Sequence, residues 1–244
     1  MSKKLLSISL ACMMLVFTNC KKDNSVVPAT VVPKVKTFTI SNGSTVINTV
    51  TLEYDNAARR SKIIYTDGSW INFSYTGNTM LQESFNSAGT SQNKYTYNLN
   101  IDGLADSYFA NASPTIIVYE TYNTAKRILS DITKNNGVIT SEKYYMYDNL
   151  GNLSGDSSIT SAGTTTKTYE YYSDKISTIE NSNLGASYNG VGNKNSQKKL
   201  TVKNPSNIIT VYDYSVPEMD AQGRVTKQSY TEGFNTISSA YTYY

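Results

Sequence analysis

The chain of 244 residues contains no histidine. Histidine is the commonest general base and the commonest transition-metal ligand in proteins. Its absence excludes a Ser-His-Asp or Cys-His mechanism, and the sequence contains no other catalytic motif and no metal-binding pattern. We therefore predict a protein that is not an enzyme and that needs no cofactor.

Cysteine and net charge are also scarce. The two cysteines are Cys12 and Cys20, and Cys12 lies within the apolar run of residues 5–17. If that run is removed, the mature chain forms no internal disulfide, and a domain of about 200 residues folds on its core alone. Removing Lys3 and Lys4 leaves 20 basic residues against 19 acidic ones. No basic stripe remains, so we predict no nucleic-acid partner.

The N-terminus has the features of an export signal. Lys3 and Lys4 precede the apolar run of residues 5–17, which is too short to span a bilayer, and Cys20 follows it. This arrangement resembles a bacterial lipoprotein signal, which implies cleavage before Cys20 and acylation of that cysteine. Because Asn19 stands where such signals usually have Gly, Ala or Ser, the alternative is an ordinary secretory peptide with another cleavage site.

We accordingly expect three segments in the chain. Residues 1–19 are the signal peptide, residues 20–34 are a flexible tether without periodicity, and residues 35–244 are the folded domain. The lipidated chain is expected at the outer membrane, on its periplasmic or its surface-exposed face, with the membrane as a partner through the anchor.

Alternation of residue types predicts strands throughout the domain. In "TVINTVTLEY", residues 45–54, Val46, Val50 and Tyr54 share one face of the predicted strand. Residues 123–137, "NTAKRILSDITKNNG", are compatible with two helical turns and also with a strand that leads into a hairpin turn. We predict the strand.

Tyrosine is abundant, with 21 copies, and it recurs with a period. The second tyrosines of successive motifs are separated by 21, 22, 25, 25 and 24 residues, and the next step of 43 residues equals two periods. Such a period predicts a repeat architecture whose unit is a β-hairpin. The aromatic pairs at alternate positions are Phe73 and Tyr75, Tyr95 and Tyr97, Tyr145 and Tyr147, Tyr169 and Tyr171, Tyr212 and Tyr214, and Tyr241 and Tyr243.

Turn residues follow the tyrosines. Residues 148–151, "DNLG", and residues 220–223, "DAQG", place an aspartate that can accept backbone hydrogen bonds before a glycine that can adopt positive φ, which favours a type I turn with a bulge. Residues 55–58 carry alanine in the glycine position, at a cost of about 1 kcal/mol if φ stays positive. Shorter turns are predicted at residues 75–78 and 171–174.

The pattern Tyr-x-Tyr-Asp-x-x-Gly, seen best from Tyr145 to Leu153 and partly from Tyr212 to Val225, resembles the YD repeats of large bacterial surface and toxin-shell proteins. Together with its N-terminus, the chain resembles small lipoproteins of unknown function with a porin-like fold, over most of residues 35–244. That resemblance implies a barrel of the cell envelope. It implies no catalytic residues, because the family defines none.

We predict an all-β fold, an antiparallel meander of roughly 14–16 strands that curls or closes into a barrel-like sheet, because so wide a sheet seldom stays open. A barrel of that size retains a lumen or a deep groove. Segments such as "SQNKYTYNL", residues 91–99, carry too many polar residues for a lipid-facing band. We expect a soluble, acylated, monomeric barrel.

Two interpretations of the tyrosines remain open. They are structural ladders, which the high strand propensity of tyrosine favours, or they form a surface that stacks on sugar rings of a polysaccharide. Another envelope protein is the alternative partner. The candidate stacking residues are Trp70, Tyr75, Tyr97, Tyr145, Tyr147, Tyr169, Tyr171, Tyr212 and Tyr214.

The main rival function is a glycan-processing enzyme that works through paired carboxylates. The carboxylates on or near tyrosine-bearing strands are Glu53, Glu120, Glu142 and Glu170. Residues 181–199, rich in Gly, Asn and Ser, depart from the repeat. They are either a functional loop at the end of the barrel or a tolerated insertion.

Overall fold

The computed structural model describes residues 33–244, so the predicted signal peptide, Cys20 and most of the predicted tether lie outside the described residues. The described residues form seventeen strands and one short 3-10 helix, Ser187–Asn189. Over this range, no helix has the length and apolar character needed to cross a membrane. The strands are β1 (Val35–Asn42), β2 (Thr45–Tyr54), β3 (Arg60–Tyr65), β4 (Trp70–Thr76), β5 (Thr79–Phe85), β6 (Ser91–Leu99), β7 (Ala105–Ala110), β8 (Ile116–Tyr122), β9 (Ile128–Asn135), β10 (Val138–Tyr147), β11 (Leu153–Thr160), β12 (Gly163–Ile176), β13 (Asn195–Lys203), β14 (Ile209–Tyr214), β15 (Glu218–Met219), β16 (Val225–Glu232) and β17 (Asn235–Tyr243).

These strands form one closed antiparallel meander. Apart from β14 and β15, which both pair with β16, each strand pairs with its neighbour in the sequence, and β1 also pairs with β17, which closes the sheet into a barrel. The two-residue β15 continues the line of β14 along β16, so sixteen strand positions surround the lumen. The predicted all-β barrel is confirmed. We call the rim where β1 begins the lower rim and the opposite rim the upper rim.

Five turns of the lower rim share the predicted chemistry. The first residue of each turn accepts hydrogen bonds on Oδ1 from the backbone N–H groups two and four residues later, at 2.8–3.0 Å. The fourth residue of each has a φ between 59° and 89°. The first and fourth residues are Asp55 and Ala58, Asn100 and Gly103, Asn123 and Lys126, Asp148 and Gly151, and Asp220 and Gly223.

The turn predictions met with different outcomes. Ala58 does keep positive φ, and the short turn after Tyr75 joins β4 to β5. The strand predicted within residues 123–137 is confirmed as β9. The short turn predicted at residues 171–174 is wrong, because β12 continues to Ile176 and pairs there with Asn195 of β13.

The connection between β12 and β13, residues 177–194, enters the lumen, and we call it the plug. Ile179 and Leu184 pack against a core of Val35, Val50 and Leu52, while Ala186 and Tyr188 are buried against Phe73 and Met80. The plug also hydrogen-bonds to β8 and to the start of β11. Because its partners come from strands around the whole barrel, the plug lies inside the lower rim. The predicted loop 181–199 belongs to the plug only up to residue 194, and its last five residues are part of β13.

Candidate functional site

The second tyrosines of the repeat point into the barrel, and most of them close the open end of a hairpin. Each hairpin is joined at the upper rim, and the tyrosine hydroxyl at its lower end donates to the backbone carbonyl of the first residue of the partner strand. These bonds, of 2.5–3.2 Å, run from Tyr54 to Val35, Tyr75 to Arg60, Tyr147 to Ile128, Tyr171 to Leu153, and Tyr243 to Val225. Burial raises the pKa of these phenols, that of Tyr147 to about 12.

The other inward-facing candidates contact the plug, a carboxylate or the upper part of the wall. Tyr97 stacks on Tyr108 at 4.9 Å and meets the plug residue Tyr188 edge-on at 5.7 Å. Tyr145 donates a hydrogen bond to the carboxylate of Asp131. The Tyr169 hydroxyl donates to Asp156 Oδ2 at 2.6 Å, and the hydroxyl of the half-buried Tyr212 donates to Glu232 Oε1 at 3.1 Å.

Trp70 lies on the other face of the sheet. Phe73 and Tyr75 face the lumen, and Trp70 is an odd number of residues from both within the same strand, so its side chain points outward. There it stacks on Phe85, with ring centroids 5.1 Å apart and planes within 14°. The structure therefore separates Trp70 from the tyrosines with which the sequence grouped it.

Of the four candidate glutamates, only Glu120 faces the lumen. Glu53 and Glu170 are each adjacent in the chain to an inward-facing tyrosine, and Glu142 is adjacent to the inward-facing Lys143. The alternation of the strands therefore places all three on the outer face. Glu120 lies opposite Asp131 in the β8–β9 pair. Burial raises the pKa of Glu120 to about 7, against the opposing effect of a 2.6 Å hydrogen bond donated by Tyr122.

Glu120 belongs to a charged row on the lumen wall. Asp131 lies opposite Lys143 of β10, and Lys143 Nζ is 3.9 Å from Asp156 Oδ1 of β11. One oxygen each of Asp131 and Asp156 is buried without a hydrogen-bond partner, and burial raises the pKa of Asp131. Among residues 33–244 no group of acidic, histidine or cysteine side chains is arranged to hold a metal ion.

A cavity of about 390 Å³ lies between the plug and the wall of β12 to β17. Its lining combines tyrosine rings, amides and hydroxyls, with Glu180 as the one charged side chain among the lining residues and no lysine or arginine. The lining residues are Tyr171, Ser177, Ile179, Glu180, Asn181, Gly192, Asn193, Asn195, Ser196, Gln197, Tyr214, Gln228, Tyr230, Ser239 and Tyr241.

The cavity contains two of the candidate stacking residues, Tyr171 and Tyr214. Tyr230, Ser196 and Gln197 also line the cavity and are not among the candidates predicted from the sequence. Tyr230 has no aromatic partner two residues away, so the pattern that identified the other tyrosines gave no signal for it. The β14–β16 pairing places it directly opposite Tyr214, a relation between strands that only the fold reveals.

Comparison with known proteins supports the fold. The crystal structure of a porin-like protein from Bacteroides uniformis superposes with a TM-score of 0.65, at 16% identity, over 86% of this chain and 98% of that chain. At that identity the likeness concerns the fold alone, and it agrees with the predicted porin-like barrel. The structure of TcdB2-TccC3-TEV matches 76% of this chain and 11% of its own at 12% identity, with a TM-score of 0.27, too low to indicate a shared fold. No protein-family model matches the chain, and no curated protein matches its sequence.

Proposed function

We propose that the protein is a non-enzymatic, lipid-anchored barrel of the cell envelope that binds a glycan inside its lumen. The observation that carries the proposal is the cavity beside the plug, which is lined by four tyrosines together with amides and hydroxyls. Aromatic rings and convergent hydrogen-bonding groups in a concave site are the combination that binds small polar ligands. The closed porin-like barrel supplies the compartment in which such a ligand is held.

The start of the barrel supports attachment through its lower rim. Lys34 Nζ donates to the backbone carbonyl of the plug residue Ser182 at 2.5 Å, and Asn183 Nδ2 donates to the carbonyl of Pro33 at 2.8 Å. The segment that leads from Cys20 therefore reaches the protein where the plug lies. An anchor on Cys20 would therefore attach at the lower rim, which leaves the upper rim as the ligand's route to the lumen.

The outer wall supports a barrel that stands outside the lipid. A lipid-facing strand needs an apolar residue at every second position over about nine to eleven residues. The outward positions of β6 from Lys94 to Asn98 and of β12 from Thr166 to Glu170, opposite in phase to Tyr97 and Tyr171, are polar. They are Lys94, Thr96, Asn98, Thr166, Thr168 and Glu170.

The anchor is tested by labelling growing cells with radioactive palmitate. The wild-type chain is expected to take up label and a Cys20→Ala variant is expected to take up none. Equal labelling of the two proteins would refute the anchor. Ligand binding is tested separately, by measuring retention of the purified protein on immobilised polysaccharides alongside the release of reducing ends, and retention without release is the expected result.

The pair Glu120 and Asp131 supports glycan hydrolysis as the second candidate function. The two carboxylates lie opposite each other across adjacent strands, and a carboxylic acid with a pKa of about 7 is suited to act as a general acid. This candidate predicts that reducing ends are released and that Glu120→Gln abolishes the release, whereas the outward-facing Glu53→Gln does not. Without release by the wild-type protein, this candidate fails.

A further inference from the structure

We infer that the cavity beside the plug is a binding site for a neutral, hydroxyl-rich ligand of one or two sugar rings, which forms hydrogen bonds with Ser196 and Gln197. The inference rests on the proposed function and names its site and its ligand class. Its starting point is a pair of buried polar atoms that make no well-formed hydrogen bond within the protein.

Ser196 is only 4% exposed, and its Oγ has no hydrogen-bond partner in the protein. The Gln197 Nε2 atom is also buried and makes no well-formed hydrogen bond. It lies close to the Tyr214 hydroxyl, where it lowers the pKa of Tyr214 and so opposes part of the rise that burial causes. Buried polar groups are almost always paired. Both residues line the cavity, so a ligand there can supply the missing partners.

The neighbouring amides, in contrast, are committed to the fold. The Asn193 Oδ1 atom accepts from the Leu153 backbone at 2.8 Å, and Asn181 Nδ2 donates to the carbonyl of Gly190 at 3.1 Å. Gln228 Nε2 donates to the backbone carbonyl of Gln197 at 2.7 Å. These bonds fix the cavity wall, whereas Ser196 Oγ and Gln197 Nε2 make no such bond within the fold.

The charges of the lining disfavour an acidic ligand. No lysine or arginine lines the cavity, and the carboxylate of Glu180 accepts a hydrogen bond from Ser182 at 2.9 Å. An acidic sugar would bring a second negative charge beside Glu180 without a compensating cation. Hydroxyl groups can donate and accept, which suits both Ser196 Oγ and the Gln197 amide.

The size and the aromatic wall set the ligand class. A volume of about 390 Å³ lies at the small end of the range for ligand pockets, about 300–1,000 Å³, which suits one or two rings. The Tyr214 and Tyr230 rings, with centroids 5.3 Å apart and planes tilted by 40°, provide a wall against which the apolar face of a sugar can pack.

The test is a calorimetric titration of the full-length protein in a non-glycosidic detergent with neutral mono- and disaccharides, with glucuronic acid and glucosamine as charged probes. We expect a neutral sugar to bind and Ser196→Ala and Gln197→Leu each to weaken it, by about tenfold for one lost hydrogen bond. Because Ser196 Oγ has no partner in the free protein, Ser196→Ala is expected to leave the melting temperature unchanged or higher. Ser74→Ala, on the outer wall, is the matched control.

The outcomes separate this inference from the proposed function. A neutral sugar that binds equally well to wild type and to both cavity variants would overturn the site and leave the proposed function standing. Preferred binding of a charged probe in the cavity would overturn the ligand class. No binding of any sugar would overturn both. A lower melting temperature for Ser196→Ala would show that Oγ is partnered within the protein and would remove the basis of the inference.

Discussion

Replacing Gly185 with alanine adds a methyl group where the plug meets the barrel wall. Gly185 has φ of +65°, and a Cβ atom there would lie 2.6 Å from the backbone nitrogen of Arg60 and 2.7 Å from Cε1 of Tyr54. The left-handed backbone costs alanine about 1 kcal/mol, and relief of the overlaps costs about 1–3 kcal/mol more. The expected loss of stability is therefore about 2–4 kcal/mol.

A matched control separates the two costs. Gly43, in the upper-rim turn between β1 and β2, has φ of +56°, and a Cβ atom added there would meet no heavy atom within 4 Å, so Gly43→Ala is expected to cost only about 1 kcal/mol. Equilibrium urea unfolding of both variants, followed by circular dichroism, gives the two free energies of unfolding. Equal losses for Gly185→Ala and Gly43→Ala would refute the packing of the plug against β2 and β3.

Three further changes test the repeat and the charged row. Tyr147→Phe removes the 2.8 Å bond to the Ile128 carbonyl and is expected to cost about 1–2 kcal/mol in urea unfolding, whereas the outward-facing Tyr144→Phe is expected to change stability little. Ala58→Gly relieves the strain of a positive φ of 59° but raises the conformational entropy of the unfolded chain, so the free energy of unfolding is expected to rise by about 0.5 kcal/mol. A lower free energy of unfolding would contradict the turn geometry. Folding raises the pKa of Glu120 from 4.5 to about 7, so between these pH values the folded state binds a proton that the unfolded state has lost. The free energy of unfolding of the wild-type protein should therefore fall by on the order of 3 kcal/mol as pH rises from 4.5 to above 7. Glu120→Gln should flatten that slope, and a parallel profile in the two proteins would contradict the burial of Glu120.

The local rules of the fold could be predicted from the sequence because they act within one hairpin. The alternation of Tyr145 and Tyr147, followed by Asp148 and Gly151, specifies a strand end and a turn, and the structure contains both. The same alternation separates Trp70 from Tyr75, since an odd spacing within one strand places two side chains on opposite faces. It also separates Glu120, in phase with Tyr122, from the three outward-facing glutamates.

The cavity could not be predicted because its parts meet only through the closed barrel. Nothing in the Gly- and Asn-rich composition of residues 181–194 indicates that the segment turns inward, where Tyr188 packs with Phe73 and Met80 from strands more than one hundred residues earlier in the chain. The error at residues 171–174 has the same origin. Tyrosines followed by Ser and Asp resemble the other turns, but pairing with β13 extends β12 beyond them.

The most direct test of the proposed site is a crystal structure of the protein soaked with a neutral disaccharide. The proposal predicts electron density for a sugar ring between the plug and β13, with hydroxyl groups within hydrogen-bond distance of Ser196 Oγ and Gln197 Nε2. A sugar bound instead on the outer wall at Trp70 and Phe85, or an empty cavity at saturating sugar, would contradict it.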